Sequence, residues 1–314
     1  MKRKRTGFTV VEILTVVTII AILLGVLIPA LSMVRNFAKE TRQKAQIASI
    51  ELAILAFRGD YGDYPPSDWP DPGSFRTDYC GAQKLAEALL GWDLLGFHPD
   101  SHWQADGKND APYWADGVAY PNQDMYPFYD TDSPVDMDKR VGPYLELANA
   151  NAFRLGPFTD PVTSVTYPGL YNDPTPLAAA RFVLCDTFNI KTMTMTGPDG
   201  EAVTRKAGTP ILYYRANPAN REEVGIGNWD QQVYDKGDNV PLVEFLPSLK
   251  DGLTPHPLGD PANGFEVWCN TITDPQIWAS TGKRWPYNPD SYILISAGLD
   301  GLYGTEDDIT NFGN

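Results

Sequence analysis

Residues 8–31 read FTVVEILTVVTIIAILLGVLIPAL, and one charge, Glu12, interrupts them. At ~1.5 Å rise per residue a helix of this length reaches ~36 Å, enough to cross a hydrocarbon core of about 30 Å. Sixteen of these residues are Ile, Leu, Val or Phe, and together they favour insertion by about 5–10 kcal/mol. One carboxylate near the end of the span costs at most about 3 kcal/mol on the same scale, so insertion wins. Lys2, Arg3, Lys4 and Arg5 precede the run; they belong on the cytoplasmic side, which sends everything after the span to the outer face. A secretory signal peptide begins in a similar way. Here no small-residue A-x-A site follows, and the run is too long for an h-region.

The string KRKRTGFTVVE at residues 2–12 resembles the start of type IV prepilins and of type II secretion pseudopilins. Those families share a basic leader, a Gly, an aromatic residue at the cut and a Glu five residues into the processed chain. The resemblance implies that a membrane aspartyl protease, the prepilin peptidase, cuts between Gly7 and Phe8 and methylates the new amine on Phe8. It makes 1–7 a leader and 8–31 a transmembrane helix segment. It also places Glu12 at the family's assembly glutamate and Pro29 at a helix-kinking proline. The physical reading agrees, because an ionisable group inside a membrane segment is rare and usually has a partner. In a filament of stacked copies, Glu12 of one subunit could pair with the amine of Phe8 in the next and set the axial register.

The formal charge is −15, and loss of the four basic residues in 1–7 makes the processed chain more acidic still. Nucleic-acid binding rests on Lys and Arg neutralising phosphates, so that class of partner is disfavoured. Cys80, Cys185 and Cys269 lie far apart without a C-x-x-C pair, which leaves a zinc or redox motif unsupported. One disulfide with a spare thiol and three free buried thiols both remain open. With 27 Gly and 27 Pro, the domain after the helix is expected to be rich in loops.

Past the membrane, Val34, Phe37, Ala38, Thr41, Ala45, Ala48, Leu52, Leu55 and Ala56 recur near helical spacing, while Arg35, Lys39, Glu40, Arg42, Lys44 and Glu51 mark another face. Residues 32–58 therefore read as an amphipathic stalk helix, with Gly25 and Pro29 as places to bend and Gly59, Gly62, Pro65 and Pro66 as the stop. A second helix is predicted over 82–90 and a short one over 141–149. Strands are predicted over 180–186, 191–196, 202–206, 210–216 and 291–296, the second and third joined as a hairpin through Gly197-Pro198-Asp199-Gly200. The expected fold is α+β and pilin-like. A long amino-terminal helix packs on a small antiparallel sheet in one extracytoplasmic domain, 59–314, and an irregular insertion fills about 96–289.

The carboxyl-terminal run SYILISAGLDGLYGTEDDITNF sets Asp300, Glu306, Asp307 and Asp308 within nine residues, beside Gly301 and Gly304. Like charges so close call for a bound cation or full solvation, and donors that are all oxygens suit Ca²⁺. The spacing does not fit an EF-hand. Residues 295–309 do resemble the calcium loop of major pseudopilins. That resemblance implies the backbone carbonyl of Ala297 and the side chains of Asp300, Thr305, Asp307 and Asp308 as ligands.

Weaker patterns are the acidic run Asp130, Asp132, Asp136 and Asp138, the pair His98 and His102, and eight Trp residues that read as core aromatics more readily than as a sugar-binding face. No G-x-S-x-G, P-loop or H-E-x-x-H occurs, so no enzyme is expected. The reading is a structural filament subunit, closest to the type II secretion major pseudopilin. Its expected partners are further copies of itself, the prepilin peptidase, other pseudopilins, the inner-membrane secretion platform and the membrane. It is held in the inner membrane with a periplasmic domain, then in a periplasmic filament. An adhesive type IV pilin or minor tip subunit, and a membrane-tethered carbohydrate-binding or hydrolytic protein, are the alternatives.

Overall fold

A computed structural model describes residues 10–67, 79–91, 94–96, 113–115, 118–120, 140–159, 166–177, 179, 181–196, 201–220, 222–225 and 232–313. The chain divides into two units, Met1–Arg42 and Gln43–Asn314, and one helix, α1 (Val10–Tyr61), contributes residues to both.

In the first unit the described residues are all helical. The apolar window of α1 is long enough to cross a membrane, and none of it is buried. Its hydroxyls turn inward to the backbone: Thr15 Oγ1 donates to the carbonyl of Val11 and Thr18 Oγ1 to that of Leu14, each at 2.8 Å. Such bonds remove polar groups that lipid could not satisfy. The helix passes Gly25 and Pro29 without a break, although Pro29 has no N–H to offer the carbonyl one turn before it.

The second unit opens on the rest of α1, which ends three residues beyond the expected Arg58. Gly62, at φ +82°, donates its N–H to Arg58 O at 2.8 Å, the left-handed cap that glycine adopts without strain. Along the chain follow α2 (Gly81–Leu90), β1 (Tyr113–Ala115), β2 (Val118–Tyr120), α3 (Leu147–Ala150), β3 (Ala152–Arg154), β4 (Phe158–Thr159), β5 (Thr166–Tyr167) and β6 (Phe182–Leu184). Then come β7 (Lys191–Thr196), β8 (Ala202–Ala207), β9 (Leu212–Arg215), α4 (Gly264–Ile272), α5 (Pro275–Thr281), β10 (Tyr292–Ser296) and β11 (Ile309–Thr310).

The strand pairs are antiparallel: β1 with β2, β3 with β6, β4 with β5, β7 with β8, and a three-stranded sheet ordered β11-β10-β9. All five residues of β10 are buried, so this sheet is covered on both faces, and strand alternation sorts its side chains into two cores. Tyr213, Tyr292 and Leu294 join Ile47, Ile50, Ile54, Phe57, Leu85 and Leu89 on the side of α1 and α2. Leu212, Tyr214, Ile293 and Ile295 face Trp268, Ile272, Leu258 and Tyr303. The result is an α+β architecture, a long amino-terminal helix followed by small antiparallel sheets, consistent with a pilin-like fold.

Polar side chains lock α1 in place. Gln46 Nε2 donates to the carbonyls of Asn149, Ala150 and Cys185 at 3.2, 3.4 and 2.9 Å, and Gln43 Oε1 accepts from the N–H of Thr187 at 2.7 Å. Near the chain end, Asn311 donates to Glu51 at 3.1 Å and accepts the N–H of Leu294 at 2.8 Å.

Three expectations change. The helix of α1 buries Gln43, Gln46, Ile47, Ile50, Ala53, Ile54 and Phe57, so the apolar stripe picked out by spacing is a different face from the one that packs. The stretch 96–289 is no irregular insertion throughout: it supplies β9 to the central sheet and the helices α4 and α5. Helix 141–149 contracts to Leu147–Ala150. The hairpin of β7 and β8 is present as expected, while its turn, residues 197–200, lies outside the described residues.

Candidate functional site

Gly7 and Phe8 lie outside the described residues. Glu12 stands in the first turn of α1, where a carboxylate faces the positive end of the helix dipole. Pro29 sits mid-helix among exposed apolar side chains.

The outward face of α1 repeats with the same spacing as the packed face, where Gln43, Ile47, Ile50, Ile54 and Phe57 also follow in steps of four and three. Val34, Ala38, Thr41, Ala45, Ala48, Leu52 and Leu55 are all exposed, and they succeed one another in alternating steps of four and three residues. That average of about 3.5 is the spacing of a seam between helices. Small residues dominate its middle, so a second helix could approach closely. The two leucines keep 69% and 51% of their surface in solvent. Spacing had found these residues; burial shows that, within the second unit, Ala45, Ala48, Leu52 and Leu55 point away from its core.

The acidic loop between β10 and β11 folds on itself. Gly298, Gly301 and Gly304 take φ of +63°, +75° and +89°. A Cβ on Gly298 would lie 2.2 Å from the carbonyl oxygen of Asp307, so only glycine fits there. Asp307 closes the loop: its Oδ2 accepts the N–H groups of Leu299 and Asp300 at 2.7 and 2.9 Å, and its Oδ1 accepts the Thr305 hydroxyl at 2.7 Å. Asp300 Oδ1 accepts from Leu302 N at 2.8 Å, and Asp308 Oδ2 from Gly304 N at 2.8 Å. The carbonyl of Ala297 accepts from Gly301 N at 3.2 Å. Tyr303, fully buried, anchors the loop, with its N–H on His256 Nδ1 at 3.3 Å.

As a calcium site these residues fit in one respect and not in another. Asp308 Oδ1 is buried without a hydrogen-bond partner. Burial pushes the Asp308 carboxyl up to about 8, with Asp307 and Asp300 adding to it, and burial likewise raises that of Asp300. A cation would relieve both strains. Among the described residues, however, no three His, Cys, Asp or Glu side chains are grouped to hold a metal. Asp307 is committed to closing the loop.

Elsewhere the three cysteines are free and buried. Burial lifts the thiols of Cys80 and Cys269 to about 12 and 11, which leaves them unreactive. Trp268 is a core residue, as the aromatic content suggested, but Trp278 stays 46% exposed. His98, His102 and the acidic run at 130–138 lie outside the described residues.

Comparison with known families adds one match: residues 2–28 fit the prokaryotic N-terminal methylation motif. No curated protein and no solved structure matches the chain. The chain therefore carries a type IV pilin-like prepilin signal joined to a long apolar helix. The motif supports a pilin-like or pseudopilin-type protein processed by prepilin peptidase, and the helix fits an inner-membrane anchor.

Proposed function

We propose that this chain is a structural filament subunit, closest in role to the major pseudopilin of a type II secretion system. The observation that carries the reading is a methylation motif running directly into a helix that is apolar and exposed. In lipid such a helix is stable alone; outside lipid it needs the flanks of other copies. Cleavage after Gly7 leaves a cationic amine on Phe8, and Glu12 of a neighbour neutralises it. The outward seam from Val34 to Leu55 continues the contact beyond the membrane zone, and the acidic domain faces solvent on the periplasmic side. The role is mechanical, with no reaction assigned to any residue.

Intact-mass analysis of the native protein should show loss of residues 1–7 and one added methyl group. Glu12→Ala should keep insertion and cleavage but lose filaments. Filaments of normal abundance from that variant refute the pairing, and an unprocessed amino terminus refutes the whole reading. Long surface fibres in immunogold images would move the assignment from secretion to an adhesive pilus.

Calcium in the acidic loop is part of the proposal, supported by the orphaned Asp308 Oδ1. Asp300, Asp308 and the Ala297 carbonyl would hold the ion, which stabilises the folded state by mass action. An unchanged melting temperature on chelation removes that assignment.

A further inference from the structure

Beside the acidic loop, residues of α4 and α5 and residues 310–313 line an open groove of about 420 Å³, within the roughly 300–1,000 Å³ of small-molecule sites. Its chemistry does not depend on filament assembly. From the way this groove is lined we infer that it binds a neutral saccharide.

Three aromatic rings supply its apolar surface: Trp278, Tyr287 and Phe312. Trp278 carries the Arg284 guanidinium 5.1 Å from its ring centre and is still 46% exposed, so part of its surface remains open to a ligand. Tyr287 and Phe312 lie with centroids 5.0 Å apart and planes inclined by 36°. Gly313 fits against the Tyr287 ring, where a Cβ would come within 2.9 Å of the ring carbon Cζ. Trp278, the most exposed of the three, offers a ring on which the apolar face of a pyranose can lie.

The polar lining is acceptor-rich. Thr271 Oγ1 donates its proton to Val267 O at 2.8 Å, Thr273 Oγ1 to Cys269 O at 2.6 Å, and Thr310 Oγ1 to the carbonyl of Phe312. A hydroxyl whose proton is committed offers only lone pairs. These three oxygens therefore call for a ligand with several donors set apart from one another, as sugar hydroxyls are. An anion is disfavoured, because no Lys or Arg lines the groove and Arg284, over the Trp278 ring, is already paired with Glu266 at 2.9 Å. An ammonium ion suits the rings, but its donors radiate from a single atom and cannot serve three separated acceptors.

The test uses the full chain in a detergent without a sugar headgroup, titrated by calorimetry with cellotriose, maltotriose, chitotriose, mannotriose and galactotriose, both with calcium and with chelator. At least one should bind saturably. Trp278→Ala should weaken it by about tenfold, the worth of one aromatic contact, and Thr271→Val by several-fold. Phe245→Ala, an exposed aromatic residue outside the groove (57%), should bind as wild type. Thermal melts confirm that each variant is folded. Absence of binding across the panel overturns the inference, as does unchanged affinity in both groove variants or displacement of the bound sugar by tetramethylammonium. None of these outcomes bears on processing or filament formation, which the amino-terminal variants read separately.

Discussion

The exposed seam on α1 can be tested by truncating its two largest side chains, Leu52→Ala with Leu55→Ala. Full burial of a leucine is worth about 1.5–3 kcal/mol. With 69% and 51% of their surfaces still in water, the pair holds slightly more than one leucine's worth of unspent burial. The alanines keep part of it, so the double variant should lose about 1.5–3 kcal/mol per subunit contact, roughly 10–100-fold in association. The fold itself should be untouched, since exposed positions away from special features shift stability by about 0.5 kcal/mol or less. The assay is the ratio of sedimentable filament to membrane-held subunit, read by immunoblot from sheared cells. Leu253→Ala, 84% exposed and far from the helix in sequence, is the control. A double variant that assembles like wild type, with its melting temperature preserved, refutes the reasoning that this face is a subunit contact.

Further outcomes follow from the buried polar groups. Asp186 is fully buried, and burial pushes its carboxyl up to about 7 against bonds from Phe188, Thr209 and Ser296. The folded state thus keeps a proton that the unfolded chain releases near 3.8. The contribution of Asp186 is fully present at acid pH and falls as pH rises toward 7, by about 4 kcal/mol at most, while His256, pushed down to about 4 by burial, acts in the opposite direction. Asp186→Asn should flatten that slope in denaturant titrations at several pH values, though not abolish it, because Asp308 has the same sign; an unchanged slope contradicts the assignment. Gln46→Leu removes the side-chain donor to the buried carbonyl of Ala150 and one of the two to Cys185, which keeps Asn151 Nδ2 at 3.1 Å, and should cost about 1–3 kcal/mol, seen as a lower melting temperature. Gly298→Ala places a methyl against Asp307 O at a left-handed φ and should cost more than about 1 kcal/mol while leaving amino-terminal processing intact.

Much of the architecture was legible because the relevant signals are local. The apolar run, the hairpin of β7 and β8, and the strand at 292–296 each declare themselves within a few residues. The packed face of α1 did not. The helix is apolar on two sides, and the side that meets the sheet also carries Gln43 and Gln46, whose partners lie more than a hundred residues away; periodicity cannot rank two apolar faces. Helix α5 was missed although its signals are in the sequence: Asp274 caps the N–H groups of Gln276 and Ile277, Pro275 takes the first turn, and Gly282 ends it at φ +73°. In the acidic loop the composition pointed to an ion, yet which oxygen is left over depends on the hydrogen bonds that Asp307 makes, and no spacing rule contains those.

Asn311 meets Glu51 across 260 residues of chain, and the strands that cover the inner face of α1 come from 212–215, 292–296 and 309–310. A ribosome makes the greasy side of the helix first and its lid last. Until residues 292–310 have emerged, the nascent polypeptide carries that side uncovered, so its maturation waits on strands made about 240 residues after the helix rather than on the speed of any early hairpin.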